Sequence, residues 1–176
     1  MKNCDGTRRV LTLGLSNQAP EQLMARLAEQ HITALVDVRS QPYSKYASWF
    51  NKAELETLIR GAGLAYVYLG KELGGMPRDP ALLGEDGKAD YAKIAASAAF
   101  SQGLERLRTG LDQGWNICLA CAEADPSHCH RQHLIAPALA AQGVGVVHIL
   151  KDGGLIGWHE LRGRERAANL EQGRLL

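Results

Sequence analysis

Short apolar runs alternate along this chain with longer stretches of helical period. Residues 10–15, 33–38, 65–69, 116–121 and 145–150 read as strands. Between the first two lies a helix with Pro20 near its first turn and Leu23, Met24, Leu27 and Ala28 on one face. Residues 52–61 turn Leu55, Leu58 and Ile59 inward, residues 89–111 hold one or two helices, and residues 130–142 form a helix stopped by Gly143. Pro137 is a blemish in that last helix, because an interior proline removes a hydrogen bond. Such alternation builds a parallel sheet with helices on its faces. The expected fold is α/β: a single three-layer domain with a mainly parallel five-stranded sheet and helices on both faces.

With 176 residues, 45% of them hydrophobic and 22% charged, the chain can bury a core without staples. It reads as one domain over 1–176, with 151–176 a charged C-terminal extension. No apolar run is long enough to span a membrane, so no membrane partner is expected. The net charge of +1 gives no global field for drawing in nucleic acid. The first residues are charged and lack an apolar core, unlike a secretory signal. A cytoplasmic chain with free thiols is expected.

Open α/β sheets bind ligands beyond the carboxyl ends of their strands. The polar residues of interest fall there. Ser16 and Asn17 follow the first strand and could instead cap the next helix. Asp37 and Arg39 end the second, on one side of it. They form either a local salt bridge or an anion clamp, with Arg39 gripping and Asp37 orienting. Residues 70–90 follow the third strand as a long loop with five glycines and two prolines, a candidate lid carrying Arg78.

Three of the four cysteines, Cys118, Cys121 and Cys129, lie within twelve residues. Cys118 and Cys121 are three apart on a strand, face opposite ways and cannot chelate one ion. Cys118 is then a core thiol. His128, Cys129, His130 and His133 match no standard zinc module, so no metal ligand is assigned. Cys121 ends a strand and Cys129 lies near a helix N-terminus, beside His128, His130 and Arg131. That is a setting for a nucleophilic thiolate.

The run Cys121-Ala-Glu-Ala-Asp-Pro-Ser-His-Cys-His-Arg131 resembles the C-A-E-x-x-P-x-x-C-H-R signature of the DUF488 family, proteins of unknown function. Gly14-x-Ser16-Asn17, Val36-Asp37-Val38-Arg39-Ser40-x-Pro42-x-Ser44, Phe50-Asn51, Leu73-Gly74-Gly75 and Val147-His148-Ile149 agree with it. The resemblance covers about residues 10–160. Leu15 departs from the His or Tyr often found in that family. A looser similarity joins Val36 to Arg39, Ile117 to Cys121 and Ile149 to Gly154 with rhodaneses, although the interval from Cys121 to Arg131 is longer than a rhodanese loop.

These readings lead to an enzyme or binding domain for a small anionic or nucleotide-like ligand. Cys121, Glu123, Cys129 and His130 are the candidate catalytic groups, a set suited to a cysteine-dependent transferase or hydrolase. Ser16, Asn17, Asp37, Arg39, Asn51 and Arg131 are the candidate ligand-binding groups. No cofactor is indicated. One alternative is rhodanese-like sulfur transfer through a loop cysteine. Another is nucleic-acid binding or repair, through a basic face of Lys45, Lys52, Lys71, Arg78, Arg162, Arg164, Arg166 and Arg174 with Trp49 and Phe50 stacking on bases.

Overall fold

The computed structural model describes residues 8–173, apart from the Gln172 side chain. Cys4 and Arg174 lie outside the described residues. The elements run β1 (Arg9–Gly14), α1 (Pro20–Glu29), β2 (Ala34–Asp37), α2 (Lys52–Gly61), β3 (Ala65–Tyr68), α3 (Gly70–Leu73), α4 (Tyr91–Ala95), α5 (Ala98–Asp112), β4 (Ile117–Cys121), α6 (Ala136–Ala141), β5 (Gly145–Ile149), β6 (Leu155–Gly157) and α7 (Trp158–Gly173). The sheet order is β3-β2-β4-β1-β5-β6. The first five strands are parallel and β6 pairs antiparallel to β5. The expected α/β sheet is therefore present, with one short antiparallel strand added at an edge.

Period-two alternation sorts the strand side chains onto two faces. Val10, Val36, Leu119 and Cys121 pack with Phe100, Leu104 and Leu107 of α5 and Leu139 of α6. Leu11, Leu13, Leu35 and Cys118 pack with Leu23 and Leu27 of α1 and Leu55 and Ile59 of α2. Cys118 and Cys121 thus belong to opposite layers. No helix among the described residues is long and apolar enough to cross a membrane.

The chain leaves β2 toward β3 on one side and leaves its neighbour β4 toward β5 on the other, so the topological switch lies between β2 and β4. The ends of β1 and β4, by contrast, are closed over. Leu15 and Ser16 donate their amides to the carbonyls of Cys121 and Ala122 at 2.7 and 2.9 Å. A Cβ on Gly14 would fall 2.1 Å from the Glu123 carbonyl oxygen. The open space lies at the switch, beyond the ends of β2 and β4.

Pro137 finds its place at the start of α6. The preceding turn, Arg131–Ile135, is π-helical, and the Ala136 amide donates to the Arg131 carbonyl, five residues back. The wider turn delivers Pro137 to a first helical turn, where a missing N–H costs little. The Ser16 and Asn17 side chains do not cap α1. Its N-cap is Ala19, whose amide donates to the Gln22 Oε1 at 3.0 Å.

Candidate functional site

A cleft of about 200 Å³ opens between the end of β2, the segment after α3 and the loop after β4. Arg39, Ser40, Gln41, Gly75, Met76 and Tyr91 form one side, and Cys121, Glu123, His128, Cys129 and His130 the other. Asp125 caps a short turn at Pro126–His128, its Oδ1 accepting the Ser127 amide at 2.8 Å. That turn folds the loop back and sets Cys129 beside Cys121, with the sulfurs 3.2 Å apart.

His130 stands over the pair. Its Nδ1 lies 3.6 Å from the Cys121 sulfur and 3.7 Å from that of Cys129. Its Nε2 lies 3.2 Å from the Val38 carbonyl oxygen, which can only accept, so Nε2 carries a hydrogen. The segment after α3 braces the ring: a Cβ on Gly75 would sit 2.6 Å from the His130 Cβ. A neutral imidazole held this way can take a thiol proton at Nδ1.

Arg131, 1% exposed, lies behind Cys129. Its Nε donates to the Cys129 sulfur at 3.2 Å, its Nη1 to the Thr12 hydroxyl at 3.2 Å and its Nη2 to the Glu123 carbonyl at 2.6 Å. The Cys129 thiol is held well below the ordinary thiol range. The main cause is its hydrogen bond with Cys121, followed by that with His130 and the Arg131 charge, while burial opposes them. The same hydrogen bond and burial push Cys121 well above that range. Of the two sulfurs, Cys129 is the one its surroundings favour as thiolate. Burial pushes Cys118 up to about 12, so it stays a core thiol.

A family model for a domain of unknown function, DUF488, matches residues 19–137, more than half of the chain. This chain belongs to the DUF488 family. No curated protein matches it. The matched span of this DUF488 chain includes both sulfurs, His130 and Arg131, but not Thr12 or His148.

Those two residues anchor Arg131 from behind, and the sequence pattern did not single them out for the site. Thr12 Oγ1 is 2.8 Å from His148 Nδ1, and His148 Nε2 is 2.9 Å from Gln132 Oε1. Gln132 Nε2 donates to Glu165 Oε2 at 3.0 Å. Because that carboxylate accepts, the amide orientation is fixed, and His148 donates from Nε2 and accepts at Nδ1. The chain of bonds is therefore directional from Arg131 to Glu165. The available signal was polar residues at Thr12 and His148, paired on the neighbouring strands β1 and β5 inside otherwise apolar runs.

Burial, followed by the Arg131 charge, lowers the His148 pKa from 6.5 to about 4. The native state then binds fewer protons than the unfolded chain between those values, so stability is complete above about pH 6.5 and is lost as pH falls toward 4. The loss is about 3 kcal/mol. Urea unfolding across this range should show it, and His148→Gln should flatten it. Equal slopes in the two proteins would remove His148 as the cause.

The structure brings Arg39, Cys121, Glu123, Cys129 and His130 to the cleft wall. Asp37 lies beneath it, fully buried, and its carboxylate grips Arg39 at 2.8 Å through Nε and 2.6 Å through Nη2. The Arg39 Nη1 donates to the Phe50 carbonyl at 2.8 Å. Its bidentate edge is thus engaged by Asp37. Asn51 organises the loop before α2, accepting the Ser44 amide at 2.7 Å. Ser16 and Asn17 border a separate small recess near Arg26 and Lys151. His133 turns away from the sulfurs, its Nε2 lying 2.6 Å from the Ser127 carbonyl. Phe50 is buried in the core, which removes it as a base-stacking residue.

Proposed function

We propose that this DUF488 protein is a cysteine-dependent enzyme acting on a small anionic substrate, with Cys129 as nucleophile. The observation that carries this reading is the buried Arg131 guanidinium donating to the Cys129 sulfur at 3.2 Å. A cation fixed by Thr12 and Glu123 stabilises a thiolate without needing to move. His130 and Cys121 are the groups placed to move the proton. An anionic substrate is supported by the Arg131 guanidinium behind Cys129, since the Arg39 charge on the cleft wall is already paired with Asp37. The cleft volume, near 200 Å³, favours a small molecule. A second reading is sulfur transfer. It is favoured by the Cys121 sulfur 3.2 Å from Cys129, close enough to receive a sulfur-linked group.

Alkylation of the full chain, followed by peptide mapping, tests the main reading. Iodoacetamide should modify Cys129 in the folded protein at neutral pH at least tenfold faster than Cys118, which should react only after unfolding. Iodoacetate should gain over iodoacetamide relative to a free thiol, because the Arg131 charge lies behind the sulfur. Cys129→Ser should abolish the fast phase. A Cys129 that reacts no faster than Cys118 in the folded protein would overturn the reading.

A further inference from the structure

We propose that Cys121, Cys129 and His130 bind one thiophilic cation, with zinc as the fitting ion and its fourth coordination position open to the cleft. The two sulfurs and the imidazole nitrogen all lie within 4.8 Å of one another, on three buried residues. Zinc bonds of about 2.3 Å to sulfur and about 2.0–2.1 Å to nitrogen imply tetrahedral edges of about 3.6 Å between sulfur and nitrogen and about 3.8 Å between sulfurs. The observed sulfur–nitrogen distances are 3.6 and 3.7 Å, and the sulfur–sulfur distance is 3.2 Å. Two edges already fit, and the third needs the sulfurs to part by about half an ångström.

The orientation of His130 points the same way. A ligating imidazole usually donates its other N–H to a carbonyl or carboxylate, which fixes the ring and its tautomer. Here Val38 supplies that carbonyl at 3.2 Å, and Nδ1 faces both sulfurs, so a cation between them would displace any proton at Nδ1 and take its lone pair. The donor set selects among ions. Magnesium and calcium want oxygen ligands, and this triad has none. Zinc with two thiolates is neutral, and the adjacent Arg131 leaves a positive field at the open position. That field suits an anion as fourth ligand. Zinc would also occupy the Cys129 sulfur and shield it from attack.

Sequence spacing concealed this site. Cys121 ends a strand and Cys129 ends the turn after it, so their meeting depends on the fold of the loop. The inference does not require Cys129 to be a nucleophile, and its test separates the two.

The full chain, stripped with a chelator and reduced, is titrated with zinc against a chromophoric competitor, and with cobalt as a spectroscopic probe. One equivalent should bind, and cobalt should give thiolate-to-metal charge transfer with intense tetrahedral visible bands. Cys129→Ser and His130→Asn should each weaken binding at least tenfold. His133→Ala should bind like the parent, since His133 faces Ser127. Circular dichroism of each variant identifies one that has unfolded. In that case the parent settles the question, since zinc should slow Cys129 alkylation at least tenfold without changing the fold. Absence of stoichiometric binding, a cobalt spectrum without charge transfer, or full binding by folded Cys129→Ser would overturn the inference. Zinc binding with an inert metal-free Cys129 would sink the nucleophile and keep the metal site. A reactive Cys129 that binds no zinc would do the reverse.

Discussion

Asp37→Ala is expected to cost this domain about 3–5 kcal/mol and to lower its melting temperature by roughly 10 °C. The Asp37 carboxylate is fully buried and accepts from the Arg39 amide at 3.1 Å, the Arg39 Nε and Nη2, and the Tyr66 hydroxyl at 2.9 Å. Alanine would leave the Arg39 guanidinium, 6% exposed, with only the Phe50 carbonyl. An unpaired buried charge costs more than the ion pair itself contributes. Arg39→Met should therefore be less harmful than Asp37→Ala, and the double variant Asp37→Ala/Arg39→Met should recover part of the loss. Chemical unfolding of the four proteins reads the coupling. A single-variant loss below about 1 kcal/mol would show that solvent reaches the pair and that its burial means little.

Arg131→Met is expected to act on stability and chemistry together. It strips a partner from the Thr12 hydroxyl, the Glu123 carbonyl and the Cys129 sulfur. Leaving buried acceptors unpaired costs about 1–3 kcal/mol each, although Thr12 keeps His148. A total loss of about 2–4 kcal/mol follows. Alkylation of Cys129 should slow about tenfold at neutral pH, because the charge that favours its thiolate is gone. Arg131→Lys should restore part of the rate and little of the stability. One ammonium can follow the charge but not hold three separate acceptors. A variant that loses stability but keeps the parent alkylation rate would reduce Arg131 to a structural brace.

Much of the architecture was legible because strand burial leaves a plain signature. The five parallel strands fall within a residue or so of the apolar runs that foretold them, since strands covered on both faces need continuous hydrophobic residues. β6 escaped notice for the opposite reason. Its three residues sit at an edge, after Gly153 and Gly154 and ending in Gly157, with too little period to read. α7 has charge on every side and shows no apolar stripe, so helical period was invisible there. The cysteine loop was legible as a concentration of unusual residues, but its internal geometry was not. Whether Cys121 meets Cys118 or Cys129 depends on strand pleat and on the turn at Pro126–His128. Spacing decides the first and tertiary folding the second.

The π turn at Arg131–Ile135 ties the site to the exact length of its segment. An α-helix rotates each successive side chain by about 100°. Removing one residue there would convert the wide turn to ordinary winding, which keeps the flanks in phase but takes away one of the positions the turn presents. Gln132, which links His148 to Glu165 from within the turn, would lose its register while Leu139 kept its seat in the core. The segment can therefore vary in composition far more freely than in length. The exposed turn around Gly84 and Gly87, whose Gly84 amide donates to the Lys88 carbonyl at 2.8 Å and so closes within its own segment, has the opposite tolerance. Among relatives, insertions and deletions should accumulate near residues 84–88 and be purged from 131–135.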